Sequence, residues 1–172
     1  DKVIIDSVDQ FSKFRITGAE EAGKLIDKSY EEYTSHNKIH NKAWESMDDV
    51  VKWMGSLSEN NTRVILWRGH GTVFVTPEGE LLAVWCLPIK WDKNVKKYQD
   101  NEYSLLNNGK YCAISSNFWK KYCDEVDGGL FFTVSCNTGA DSGYAAKIFF
   151  DKGFSTYAAP NGSIWTTYAD KM

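Results

Sequence analysis

Proline, basic runs and long apolar runs are all scarce in this chain. Only three Pro occur in 172 residues and no Gly/Ser-rich tract interrupts the sequence, so no linker is evident and we expect one domain over 1–172. No apolar stretch approaches the roughly 20 residues that a membrane-spanning helix needs. The net charge is -3 and no dense basic run occurs, which argues against nucleic acid and anionic membranes as partners.

The start of the chain has no charged-then-apolar signal segment. Its first residue is Asp1 and not Met, so we expect a piece of a longer protein.

Cysteine and histidine are also few, and their spacing does not suggest a metal site. The four Cys contain no C-x-x-C pair, which argues against a zinc ribbon or a thioredoxin-type redox pair. His36 and His40 are four apart but lack the Glu of a zincin motif. Cys112 and Cys123 are compatible with a disulfide in an oxidising compartment, although spacing alone does not decide this. We therefore predict no metal and no other cofactor.

The rest of the chain reads as alternating strands and helices. Strands are predicted at 2–8, 63–67, 111–114, 130–135 and 154–160, and helices at 18–33, 41–57, 116–126 and about 142–152. This order predicts an α/β fold with a mainly parallel sheet, right-handed crossovers and helices on both faces. The segment 71–87 reads as a hairpin around a Pro-Glu-Gly turn and 91–110 as an exposed polar excursion, so that about 71–110 forms an insertion.

One histidine stands in an unusual setting. The stretch "VILWRGHGTVF" (64–74) is a run of strand-forming residues that ends in His70 between two glycines. Glycine on each side gives a tight turn that presents the imidazole instead of burying it. Cys136 likewise follows the apolar run "LFFTVS" (130–135) and precedes a polar turn.

Reactive groups collect at the carboxyl ends of the strands in open α/β sheets. If these two strands are neighbours, His70 and Cys136 converge, and a thiol beside an imidazole is the simplest nucleophilic pair in proteins. The backbone N–H groups of Gly71 and Cys136 are then candidate donors to an oxyanion.

Other candidates have simpler interpretations. A free Cys is most often a small buried hydrophobe, and Cys86, Cys112 and Cys123 are expected to be that. Four aromatic residues are expected to pack between helices: Trp44, Trp53, Phe118 and Trp119. Trp85, Trp91 and Trp165 are instead candidates to line a ligand groove.

"VILWRGHG" and "FFTVSCNTG" together resemble the motifs of the caspase-like cysteine peptidases, the group of caspases, legumains, clostripain and gingipains. The resemblance extends in order over most of the chain, although about a dozen residues carry it specifically. It implies a three-layer sandwich with a mainly parallel central sheet flanked by helices. It also implies hydrolysis of peptide bonds in proteins or peptides, without a metal for the chemistry. We expect a bacterial-type member, secreted or at the cell surface.

The resemblance also implies residue roles. His70 would be the general base, Cys136 the nucleophile and the amide of Gly71 an oxyanion donor. The pocket for the residue before the scissile bond would be built partly from 159–165, with Ser163 and Trp165 as candidates.

Three features depart from the family pattern. The cysteine is not in a Gln-Ala-Cys setting, and it lies 66 residues after the histidine (136 − 70), against about 50 in caspases. Val134 and Ser135 stand where relatives specific for basic residues carry an acid, so basic specificity is not supported; Asp141 is a candidate substitute.

Alternatives to a peptidase stay open at this point. One is a non-catalytic binding or scaffolding domain of the same fold, which would use the aromatic groove. Another is an acyl hydrolase or transferase that uses the same dyad.

Overall fold

A parallel sheet and an antiparallel sheet share one aromatic core. The computed structural model describes residues 4–9, 38–42, 44–99 and 103–164. The predicted helix 18–33 lies outside these ranges, and the three-layer sandwich stays a prediction. The described part is a mixed α/β fold with parallel strands, as the alternating sequence pattern predicted.

The parallel sheet has five strands in the described residues. They are β1 (Ile4–Asp9), β2 (Lys38–Lys42), β3 (Thr62–Arg68), β8 (Leu130–Val134) and β9 (Thr156–Ala158). Their order is β2-β1-β3-β8-β9, and every neighbouring pair is parallel. The apolar runs that predicted β3 and β8 therefore lie side by side near the middle of the sheet, as strands buried on both faces do.

The antiparallel sheet follows directly after His70. Its strands are β4 (Gly71–Val75), β5 (Leu81–Lys90), β6 (Leu105–Asn108) and β7 (Tyr111–Ser115), in the order β4-β5-β7-β6. The predicted hairpin is confirmed as β4 and β5. The prediction of an exposed excursion over 91–110 is wrong in part, because β6 joins the sheet and Leu105 is fully buried.

Three α-helices lie in the described residues: α1 (Met47–Met54), α2 (Ser116–Tyr122) and α3 (Tyr144–Asp151). A short 3-10 helix spans Val95–Tyr98. Ser46 and Ser115 cap α1 and α2, each with a side-chain oxygen that accepts from a backbone N–H. The predicted helix 41–57 is too long at its start, because residues 41 and 42 belong to β2. No helix in the described ranges is long and apolar enough to cross a membrane.

Trp119 of α2 lies at the centre of the core. Its ring lies within 6.1 Å, centroid to centroid, of five other aromatic rings, those of Trp53, Trp67, Trp85, Phe131 and Phe149. The prediction that Trp44, Trp53, Phe118 and Trp119 pack between helices is confirmed, since all four belong to this core.

Trp85 does not line a groove. It is fully buried, and its indole N–H donates to Thr133 Oγ1 at 3.1 Å. The groove prediction is therefore wrong for this residue. Trp91 is only partly buried and packs against the core, and Trp165 lies outside the described residues.

Candidate functional site

The pairing of β3 with β8 places His70 and Cys136 at equivalent positions. Arg68 is the register partner of Val134, and the strands are parallel. His70 comes two residues after Arg68, and Cys136 comes two residues after Val134. Gly69 N–H still donates to Val134 O at 3.4 Å. Because neighbouring strands lie about 4.8 Å apart, the two chain segments leave the same edge of the sheet next to each other. The condition that β3 and β8 are neighbours is therefore met.

Gly71 packs directly against the cysteine turn. A Cβ atom on Gly71 would lie 2.7 Å from Ser135 Cβ, 2.8 Å from Thr138 Cγ2 and 2.9 Å from Cys136 O. These distances are shorter than ordinary carbon contacts, so only glycine allows this approach. The backbone of the His-Gly motif therefore touches the backbone of the cysteine turn.

The amide of Gly71 points away from β5. Gly71 is the register partner of Trp85, and Cys86 N–H donates to His70 O at 2.9 Å. In an antiparallel ladder this pattern marks Gly71 and Trp85 as a pair whose own amides do not bond each other. The Gly71 N–H is thus directed to the outer edge of β4.

The thiol of Cys136 contacts the segment 159–164. Ile164 N–H donates to Cys136 Sγ at 3.3 Å, and the Cys136 thiol donates to Ile164 O at 3.6 Å. Asn137 N–H donates to Gly162 O at 2.9 Å and Gly139 N–H to Pro160 O at 2.8 Å. This segment, predicted to build the specificity pocket, therefore lies beside the cysteine. Ser163 is exposed between Gly162 and Ile164.

The turn after Cys136 is held in a conformation that few side chains adopt. Asn137 has φ 58°, in the left-handed region, where Asn is among the residues tolerated. Thr138 is fully buried, and its Oγ1 donates to Ser135 O at 2.8 Å. Tyr157 Oη donates to Thr138 O at 2.7 Å. These two hydrogen bonds hold the left-handed turn that follows the cysteine.

Asp141, the candidate specificity acid, stabilises the start of α3. It is 2% exposed, and its carboxylate accepts from Gly143 N–H at 3.2 Å and from Ala145 N–H at 2.6 Å. Burial raises the pKa of Asp141 above its ordinary value. The structure places this carboxylate among backbone donors, where it satisfies the first N–H groups of a helix.

Cys136 differs from the other cysteines in exposure. All four are free thiols, so the disulfide considered for Cys112 and Cys123 is not formed. Cys86, Cys112 and Cys123 are buried, whereas Cys136 is partly exposed. Burial raises the pKa of Cys112 and of Cys123 to about 12 and also raises that of Cys86. His70 is exposed.

Sequence reasoning missed two neighbours of the cysteine, Ile164 and Tyr157. Ile164 acts through its backbone, which no side-chain pattern reveals. Tyr157 lies on β9, and only the pairing of β9 with β8 brings it to the turn. Within the described ranges, no group of three or more His, Cys, Asp or Glu side chains could hold a metal ion. Comparison with known proteins found no matching family model, no matching curated protein and no matching solved structure.

Proposed function

We propose that this protein is a cysteine endopeptidase that acts through a His70–Cys136 dyad and a thioester acyl-enzyme. The observation that carries the proposal is the register of β3 and β8, which puts both residues two positions beyond paired residues at one sheet edge. The fold we propose is the caspase-like three-layer sandwich.

Each step of the reaction can be assigned to a group at this edge. The His70 imidazole accepts the thiol proton, and Cys136 Sγ attacks the carbonyl carbon of the scissile bond. The resulting tetrahedral oxyanion collapses to a thioester as the C–N bond breaks, and the imidazolium donates its proton to the leaving amine. Water, deprotonated by His70, then attacks the thioester, which releases the acid and restores the thiol.

The oxyanion would be stabilised by the Gly71 N–H. This amide points away from β5 and stands beside the cysteine backbone. A backbone donor held by close packing costs no reorganisation when charge develops, and removing one such donor typically costs about 10²–10³ in kcat.

The residue before the scissile bond would bind against 159–164. Backbone hydrogen bonds from this segment hold it beside Cys136 and Asn137. Ser163 is exposed and directly precedes Ile164, whose N–H contacts Cys136 Sγ, so we assign its hydroxyl to contact with the substrate. Asp141 has its carboxylate in backbone hydrogen bonds, and we do not assign it a role in specificity.

The alternative of a non-catalytic binding domain has less support. It relied on an aromatic groove, and Trp85 is inside the core. An acyl transferase with the same dyad would differ from a peptidase in its products, because an added amine would be joined to the acyl group in place of water.

The test is hydrolysis of denatured fluorescein-labelled casein by the wild type and three variants. Cys136→Ala and His70→Ala should each reduce cleavage at least 10³-fold, because each removes one half of the dyad. Cys123→Ala is the matched control and should cleave normally, because this thiol is buried away from the site. Unchanged cleavage by Cys136→Ala, or none by the wild type, would refute the proposal.

A further inference from the structure

We propose that β4 binds the substrate chain on the leaving-group side of the scissile bond, as an added parallel strand. The inference rests on the proposed function and names the form of the substrate: an extended polypeptide that continues for several residues beyond the cleaved bond. Within the described residues, β4 pairs only with β5, so its other edge is open to a further strand.

The ladder shows which backbone groups face this open edge. Cys86 N–H donates to His70 O, and Thr76 N–H donates to Glu80 O. Because hydrogen-bonded positions alternate along an antiparallel strand, the amides of Thr72 and Phe74 also bond β5. The N–H and C=O groups of Gly71, Val73 and Val75 therefore point outward. Val75 is 57% exposed.

This edge is continuous with the candidate catalytic site. Gly71, the proposed oxyanion donor, is the first of the three outward residues, and its backbone touches the Cys136 turn. The cysteine contacts 159–164 through Ile164, and that segment is the proposed site for the chain before the scissile bond. The chain after the bond is then left to run from Gly71 toward Val75.

Strand addition fixes which substrate groups are used. The carbonyl of the scissile bond accepts from Gly71 N–H. Residues two apart on an extended chain face the same side, so the second residue after the bond also faces β4. Its N–H donates to Gly71 O and its C=O accepts from Val73 N–H, in the evenly spaced pattern of parallel strands.

The same register predicts a side-chain preference. In a parallel pair, the second residue after the bond lies opposite Thr72, on the face that carries Phe74. That face has an apolar groove of about 200 Å³ whose lining includes Thr72, Phe74, Val84 and Cys86. An apolar side chain at this substrate position would enter the groove, so cleavage sites should be enriched in apolar residues there.

The first experiment compares two lengths of one peptide. A site cleaved in denatured casein is identified by mass spectrometry, and its peptide is made ending either one or four residues after the scissile bond. For the wild type, kcat/KM should be at least tenfold higher for the long peptide. Val73→Pro should reduce this ratio to about one, because proline lacks the N–H that points outward at this position. The hydrogen bonds between β4 and β5 do not use this N–H and are kept.

The short peptide is the control for folding. It ends one residue after the scissile bond and does not extend to Val73, so Val73→Pro should cleave it as the wild type does. This separates loss of the binding edge from a general effect of proline on the sheet.

Modified peptides give a second measurement on the wild type that does not depend on folding of a variant. N-methylation of the second residue after the bond should lower kcat/KM to the short-peptide level, and N-methylation of the third residue should have little effect. Equal effects of the two methyl groups, or an unchanged ratio in folded Val73→Pro, would overturn the inference while the peptidase stands. Casein cleavage that persists in Cys136→Ala, or is absent in the wild type, would overturn both.

Discussion

Replacing Gly71 with Ala is the sharpest test of how the two motifs pack. The new Cβ would lie 2.7 Å, 2.8 Å and 2.9 Å from three atoms of residues 135–138. Ordinary contacts of this kind are about 3.5–4.0 Å, so β4 and the cysteine turn must separate by roughly 0.5–1 Å. Two of the three obstructing atoms, Ser135 Cβ and Cys136 O, move only with the backbone.

The separation has two measurable effects. Overpacking of this size costs about 1–3 kcal/mol of unfolding free energy, which urea denaturation would detect. A displacement approaching 1 Å at a catalytic centre costs about 10² in rate, so kcat/KM for the casein-derived peptide should fall by about that factor. The fall in kcat/KM should be larger than the decrease in the fraction of folded protein can explain.

Gly55→Ala is the matched control outside the site. Gly55 follows α1 with φ −80°, and a Cβ there would lie 3.4 Å from Val51 O, an ordinary contact. This variant should match the wild type in stability and activity. If Gly71→Ala also has wild-type stability and activity, the His-Gly and cysteine motifs do not pack as described, and the reasoning fails.

Three further predictions concern the cysteine turn and its surroundings. Iodoacetamide at neutral pH should label Cys136 well before the other three thiols, which are buried and have raised pKa values; peptide mapping that finds equal labelling would contradict this. Tyr157→Phe should cost about 1 kcal/mol of unfolding free energy, because Thr138 O loses its donor, and should also lower kcat/KM; loss of stability without loss of activity would show that the bond does not orient the cysteine. Burial raises the pKa of Asp141 above 3.8, so its contribution to stability is full below that pH and is lost as the pH rises through the raised pKa. The unfolding free energy of the wild type relative to Asp141→Asn should therefore decrease from pH 3 to pH 7, and a difference that stays constant in urea titrations would refute the burial argument.

The central strands could be predicted from sequence because their apolar runs are unambiguous. β3 and β8 consist of such runs, each followed by a glycine or polar turn, and their pairing follows from the preference of α/β folds for neighbouring parallel strands. That His70 and Cys136 both follow paired residues at one edge of the sheet was predictable for the same reason. The strands β2 and β6 could not be predicted from sequence. Their sequences, "KIHNK" and "LLNN", are short and polar, and they form strands because they pair with neighbouring strands.

Trp85 shows why burial was harder to predict than secondary structure. β5 reads "LLAVWCLPIK", a nearly continuous apolar strand, so no alternation of polar and apolar residues indicates which face meets the core. The face is decided by pairing with β4 and β7. Likewise, the contact of Cys136 with Ile164 joins positions 28 residues apart, and no local pattern specifies it.

The connection between the two sheets determines where this chain can change in length. Only Gly69 and His70 separate the end of β3 from the start of β4. Inserting or deleting one residue there would reverse the alternation along β4, so the amides that face outward would turn toward β5. The two-residue connection should therefore keep its length in variants of this protein that stay folded.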